Sequence, residues 1–279
     1  MTQNPVDTPE RRYKAVVWAT GRVGKLAIRA IADRPNLDLV GVWVHSESKD
    51  GQDAGTLAGI DPLGVASTRD KDAILQGDAD CVVYTGPATN RPREAIEDFT
   101  RILEAGKNIV TTSLPGLVYP RGSMRESTVA RIDAAARRGH SSIYSTGIEP
   151  GFGCDLLAVA MTSMSSRVYS IRGLEITDYS RDTLDYEMRE LFGFGQPLDY
   201  QGGVTMPGVI TFGWGAAVTM VAEGLGVQLD EIRESCEFAP APRRLAQARA
   251  AGRSRALARP RAGPEAAHRA GPASRRRKW

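Results

Sequence analysis

The sequence predicts an α/β protein: a doubly wound parallel sheet in the first half and a second, smaller α+β region after it. Three observations carry this. Short apolar, β-rich runs alternate with helical stretches from Tyr13 to Ser145, the rhythm of a parallel sheet with helices on both faces. A glycine-bearing turn, Ala19-Thr20-Gly21-Arg22-Val23-Gly24, joins the first run to the first helical stretch. After about residue 150 the alternation gives way to longer, less regular segments.

The elements follow in order. Tyr13–Ala19 reads as a strand, and Lys25–Asp33 has Leu26, Ile28, Ala30 and Ile31 at helical spacing. Pro35-Asn36 breaks that helix before a second strand, Leu37–His45. Val65–Ser67 reads as a short strand and Lys71–Leu75 as a short helix. Asp80–Thr85 is a strand, Pro92–Glu104 a helix, Lys107–Ser113 a strand, Ser123–Arg138 a helix and Ser141–Ser145 a strand. Beyond residue 150, Phe152–Met164 looks helical, and Arg167–Tyr179 alternates in part and predicts an extended strand. Leu184–Leu191 and Leu229–Ser235 predict short helices, Phe192–Gly208 a loop, and Val209–Leu225 a helix rich in small residues. The expected organisation is a flexible N-terminus at 1–12, an α/β domain at 13–150, a partial α+β domain at 151–242, and a tail at 243–279.

Composition narrows the function classes. With 279 residues and 42% hydrophobic content the chain has enough apolar material for a real core and too much for a disordered protein. Its longest apolar runs, such as Gly215 to Val221, fall short of the roughly 20 residues that span a bilayer. No apolar segment stands behind a basic start in MTQNPVDTPERRYK, and Cys81, Cys154 and Cys236 show no metal or disulfide spacing. The expectation is a cytoplasmic protein with no metal and no membrane partner.

The net charge of +3 hides an asymmetry. From Arg243 to Trp279 the chain carries 11 Arg and one Lys against the single acid Glu265, a charge of +11, which leaves −8 on residues 1–242. That tail is rich in Ala, Pro and Gly and holds little to bury, so it is expected to stay disordered. Three origins compete: a reading-frame slip in a GC-rich gene, an inert extension, or a basic arm. The abrupt switch at Pro242-Arg243 favours the slip and implies a truncated second domain. No aromatic interleaving supports nucleic-acid binding.

The turn at 19–24 is the GxGxxG fingerprint with its first glycine replaced by Ala19. Gly21 lets the backbone approach a pyrophosphate, Gly24 lets the helix pack on the strand, and the helix start near Arg22 offers free N–H groups and a positive dipole end. Its place between first strand and first helix makes the sheet Rossmann-type. An NAD site keeps an acid near the end of the second strand; here that place holds His45 and Ser46, with Glu47 and Lys49 beyond. Ser46, Arg22 and Lys49 suit a 2′-phosphate, so NADP(H) is the preferred cofactor, with NAD(H) accepted if Glu47 turns inward. Thr85 and Gly86 end the fourth long run, and Thr112 and Ser113 the fifth, where ligands of open parallel sheets bind.

The segments VVWATGRVGKLAIRAI, CVVYTGPATNRP, NIVTTS and STGIEPGFG, in this order, resemble the N-terminal domain shared by dihydrodipicolinate reductases and the 2,4-diaminopentanoate dehydrogenase-like proteins, which include the native amine dehydrogenases. LEITDYS, ELFGFG and the glycine-rich helical stretch are similar to the diaminopentanoate dehydrogenase side. The resemblance spans residues 13–242. It implies a Rossmann domain followed by a substrate and dimerisation domain, hydride transfer between NAD(P)H and a C=N bond of a small substrate, and a homodimer where the second domain is intact.

Two departures matter. The reductase's His-His pair with its lysine and Ser-Gly-Thr loop is absent, which argues against lysine-pathway activity. The amine dehydrogenases hold the amine with an acid shortly after the fifth strand, but Ser113–Pro120 contains none. Glu149, at the turn after the last Rossmann strand, could hold an amine or relay a proton, or serve only as a helix-start carboxylate. Tyr179, closing the long segment of the second region, is the second catalytic candidate. Tyr119 and Tyr144 have weaker support as proton donors. The alternatives to an oxidoreductase are a dinucleotide-binding protein without turnover and, third, a nucleic-acid binder acting through the tail.

Overall fold

In a computed structural model the described residues are 11–88, 91–182, 184–240 and 258–261. Most of the basic tail, and the first ten residues of the expected flexible N-terminus, lie outside them. The chain divides into two compact units, one of residues 1–114 and 125–146, the other of 115–124 and 147–279.

The first unit is a six-stranded, all-parallel sheet. Its strands are β1 (Tyr13–Trp18), β2 (Leu37–Trp43), β3 (Ser67–Thr68), β4 (Cys81–Tyr84), β5 (Asn108–Thr111) and β6 (Ile143–Ser145), in the order β3-β2-β1-β4-β5-β6. The order reverses at β1 and β4, where such sheets open a crevice at the strand ends. Helices α1 (Arg22–Ala32) and α2 (Ala54–Ala58) cover one face, closing over Ala15, Val17, Val42 and Val44 with Ile28, Ile31 and Leu57. Side chains alternate along a strand, so Trp18 and Tyr84 show the other face. There α4 (Pro92–Glu104) brings Phe99 edge-on to Tyr84 and packs beside α5 (Glu126–Gly139). Helix α3 (Lys71–Gln76) follows β3 and is capped by Asp70.

The boundaries agree with the apolar periodicity to within a few residues in this unit. A 3₁₀ turn at Glu47–Lys49 and α2 were not predicted; both are too short for a periodicity to register. At the N-terminus, Arg11 pairs with Asp80 at 2.9 Å and Arg12 with Asp38.

The second unit contains α6 (Leu156–Thr162), a π-helical turn at Glu187–Leu191, a 3₁₀ turn at Gly203–Thr205, α7 (Val209–Gly224) and the antiparallel pair β7 (Glu237–Pro240) and β8 (Ala258–Arg261). Strand β8 falls in the segment whose composition predicted no order. Pro115–Met124 joins this unit: its 3₁₀ turn, Pro115–Leu117, packs on α7, and the Tyr119 hydroxyl donates to Glu223.

Three expectations fail here. Arg167–Tyr179 is not a strand: no backbone–backbone hydrogen bond joins residues 166–178 to any other described segment, so the alternating pattern has no neighbour to pair with. It leaves Tyr169 75% and Ile176 86% exposed. Leu229–Ser235 is not helical; seven residues are too few to offset helix nucleation without packing, and Glu234 instead turns its carboxylate to the Gly208 and Thr211 amides at the start of α7. Helix α6 begins four residues late because Gly151–Cys154 forms turns and Asp155 caps the helix.

Candidate cofactor site

The candidate site is built on the carboxyl ends of β1, β2 and β4. Strand β1 ends at Trp18, and Ala19 then adopts φ +78°, the left-handed region that favours glycine. Its amide donates to Trp43 O at 2.9 Å, tying the turn to β2. Thr20 is buried, and Gly21 occupies the N-cap of α1 in extended conformation, where no side chain caps the free amides. No acid lies in the first turn. The exposed end of an 11-residue helix therefore keeps its positive pole open to an anion.

The two glycines of the turn are required for different reasons. A β-carbon on Gly24 would lie within the van der Waals envelope of Ala19 O, so helix–strand packing demands glycine there. A β-carbon on Gly21 would meet nothing within 4 Å. Thr85 Oγ1 donates to Trp18 O and Ala19 O, both at 3.1 Å, and fastens the end of β4 to the turn.

From the 3₁₀ turn after β2, Lys49 reaches back and donates to Thr20 O at 3.2 Å and Thr20 Oγ1 at 3.1 Å. Ser46 and Ser48 hydroxyls are 2.8 Å apart, and His45, Ser46 and Glu47 are exposed. One cation thus stands against the fingerprint turn, and the Ser46 and Ser48 hydroxyls lie in the same loop after β2. Val23 is exposed on α1.

The strand-end hydroxyls first serve the sheet. Thr111 Oγ1 donates to Tyr84 O at 2.9 Å and Ser113 Oγ to the same carbonyl at 3.3 Å. Thr112 is exposed, whereas Gly86 is buried with its backbone against the Tyr84 ring.

Glu149 and Tyr179 belong to the second unit. Glu149 Oε2 accepts from the Cys154 amide at 2.7 Å, and burial, with Asp155 and Glu175 adding, raises its carboxyl above the ordinary value. Burial and Glu149 push the Cys154 thiol up to about 12, so it is protonated at neutral pH. Asp155, fully buried, accepts from the Gly151 and Leu156 amides. The sequence reading did not single it out; an acid directly before the run LLAVAM is the signal. Tyr179 stacks on Phe192 at 5.0 Å and lies 5.9 Å from Phe194, and burial raises its hydroxyl. Tyr119 is committed to Glu223, and Tyr144 is exposed.

Strand order and turn together define the doubly wound fold of dinucleotide-binding proteins. Residues 14–113 match the family described as dihydrodipicolinate reductase, N-terminus. The chain is 40% identical over 223 residues to an amine dehydrogenase of Streptomyces virginiae, covering 80% of this chain and 62% of that protein. It is 35% identical over 125 residues to a 4-hydroxy-tetrahydrodipicolinate reductase of Anaeromyxobacter, covering 44% of this chain and 41% of that one. The structure resembles that of an amine dehydrogenase from Mycobacterium smegmatis, with a TM-score of 0.67 at 22% identity over 82% of this chain and 66% of the other. The chain is thus similar to dihydrodipicolinate reductases over residues 14–113 and to amine dehydrogenases over most of its length, while spanning under two thirds of the Streptomyces protein. Among the described residues no helix is long and apolar enough to cross a membrane.

Proposed function

We propose that this protein is an NAD(P)H-dependent oxidoreductase, with NADP(H) preferred, acting on the C=N or C=O group of a small amine, imine or carbonyl substrate. The observation that carries the reading is the contrast between the two fingerprint glycines. Packing explains Gly24; no described residue packs against Gly21, whose missing side chain leaves room for a pyrophosphate at the open end of α1. Similarity to amine dehydrogenases supports the substrate class.

When bound, the nicotinamide supplies the hydride; the protein supplies binding, orientation and exclusion of water. The amides of Gly21, Arg22 and Val23 hold the pyrophosphate. Arg22, Ser46 and Lys49 receive the 2′-phosphate by charge-assisted hydrogen bonds. Ala19, Thr20, His45, Thr85, Gly86, Thr112 and Ser113 shape the surrounding wall. Glu149, whose raised carboxyl makes it a better proton carrier near neutral pH, holds the amine or moves its proton, and Tyr179 is the second donor. The same reading includes a homodimer and, with three free cysteines, a reducing cytoplasm.

The test is titration of the purified chain with NADPH and NADH. Arg22→Ala is expected to weaken NADPH about tenfold and NADH far less; equal loss for both removes the 2′-phosphate role. A second reading, a dinucleotide-binding protein without turnover, is favoured by the stretch Ser113–Pro120, which has no carboxylate. Steady NAD(P)H consumption with any of a panel of amines and ketones excludes it.

A further inference from the structure

Trp43, Trp18 and Tyr84 are the last residues of β2, β1 and β4, and the sheet holds them side by side in register. Their rings form a ladder. The two indoles stack with centroids 4.9 Å apart at 24°, and Trp18 meets Tyr84 at 6.0 Å and 22°. Lys71, on α3, sets its ammonium 5.0 Å from the Trp43 centroid and 5.6 Å from that of Trp18. The same ammonium ion-pairs with buried Asp98 on α4, whose other oxygen accepts from the Tyr84 hydroxyl at 3.2 Å. The Trp43 indole N–H donates to Arg69 O at 3.1 Å.

Each rung leads into one of the loops of the candidate site: Trp18 into Ala19–Gly24, Trp43 into His45–Ser46, and Tyr84 into Thr85–Gly86. Two of these links are contacts. The His45 ring lies 6.2 Å from that of Trp43, and a β-carbon on Gly86 would stand 3.0 Å from the Tyr84 ring and hydroxyl. A buried ion pair is weak evidence for stability, since apolar residues of similar volume often serve as well. A methionine would cover the same indole faces. What it would not do is bind aromatic faces and a carboxylate from one atom, and so couple three strand ends through α3 and α4.

We infer that Lys71 and Asp98 are positioning residues for the dinucleotide, holding the aromatic ladder, and through it the three loops, in a single arrangement. The inference rests on the dinucleotide-binding reading above.

The experiment compares the full chain with Lys71→Met, Lys71→Arg and Tyr84→Phe. NADPH affinity is read by fluorescence titration, indole stacking by near-ultraviolet circular dichroism, and folding by thermal midpoint. Lys71→Met strands the buried Asp98 carboxylate and is expected to melt below the unaltered chain, and, while folded, to lose part of the indole signal and bind NADPH about tenfold more weakly. Lys71→Arg, which keeps charge and ring contact, is expected to restore both signal and affinity. Tyr84→Phe is expected to weaken binding by a smaller factor. Unchanged affinity in Lys71→Met overturns the inference. If Lys71→Met does not fold, unchanged affinity in Tyr84→Phe overturns it instead. Failure of the unaltered chain to bind either NADPH or NADH overturns the dinucleotide reading itself, and this one with it.

Discussion

Gly24 and Ala19 meet backbone to backbone: a β-carbon on Gly24 would stand 2.0 Å from the Ala19 carbonyl oxygen and 2.8 Å from Thr85 Oγ1. Neither neighbour can yield cheaply, because Ala19 is fixed to β2 through its amide and Thr85 to β1 through its hydroxyl. Gly24→Ala is therefore expected to destabilise the first unit by about 2–3 kcal/mol and to weaken dinucleotide binding with it. An unaltered thermal midpoint would refute this packing argument.

Ala19 predicts the opposite effect one step away. Its left-handed conformation costs an L-residue roughly 1–2 kcal/mol, while glycine brings about 0.5–1 kcal/mol of extra chain entropy to lose. Ala19→Gly restores the usual fingerprint residue and is expected to stabilise by about 0.5–1 kcal/mol, visible as a small rise in melting temperature.

On the NADP(H) reading, removing the Lys49 ammonium should separate the two cofactors. Lys49→Met keeps the stem and loses the ammonium beside Thr20. NADPH affinity is expected to fall about tenfold and NADH affinity by less than about twofold. Equal titration curves before and after substitution would assign the ammonium to loop structure alone.

Asp53 makes the β2–β3 connection acid-sensitive. Burial alone would raise its carboxyl, but amide donors from Thr56, Leu63, Gly64 and Gly55 outweigh it and hold the carboxyl below its ordinary 3.8. A depressed acid contributes stability above its unfolded value, lost as pH falls through the folded one. Asp53→Ala is expected to melt lower at pH 7, with the difference shrinking as pH drops below 3.8; a gap constant over that range would show the charge to be irrelevant.

Glu149 has the reverse sign. Its carboxyl is raised above the ordinary 4.5, chiefly by burial, so ionisation opposes folding and stability declines as pH rises past that value. Glu149→Gln keeps an acceptor for the Cys154 amide and removes the charge. The variant is expected to melt higher than the unaltered chain at pH 7 and equally at pH 4. If Glu149 also holds the amine, turnover of amines falls while NADPH affinity stays.

The first unit was legible in the sequence because β1 is buried on both faces from Ala15 to Trp18, β2 and β4 are short apolar runs, and its helices carry one apolar side. Tyr13–Trp18 and Pro92–Glu104 announce themselves by composition and period, and the fingerprint turn is local. The second unit was harder. Arg167–Tyr179 has the alternation of a strand, but a strand is defined by what it pairs with, and no pattern within one segment reports that. The Lys71–Asp98 pair was invisible for a related reason: its members lie 27 residues apart and meet only because α3 and α4 converge on one aromatic surface. The candidate cofactor wall was named residue by residue, yet the use of Thr85, Thr111 and Ser113 hydroxyls on neighbouring carbonyls follows from strand adjacency, which single residues do not encode.

The unpaired stretch at 166–178 has a practical corollary. Proteases bind their substrates as extended chain, and here a backbone outside any helix or strand has its amides and carbonyls unclaimed by any other described segment. Arg167 and Arg172 are both exposed within it. Brief exposure to trypsin is expected to nick the chain there before it attacks helices α4 and α5, which the Arg131–Glu97 and Arg138–Glu104 ion pairs join, leaving the parallel sheet in a single fragment.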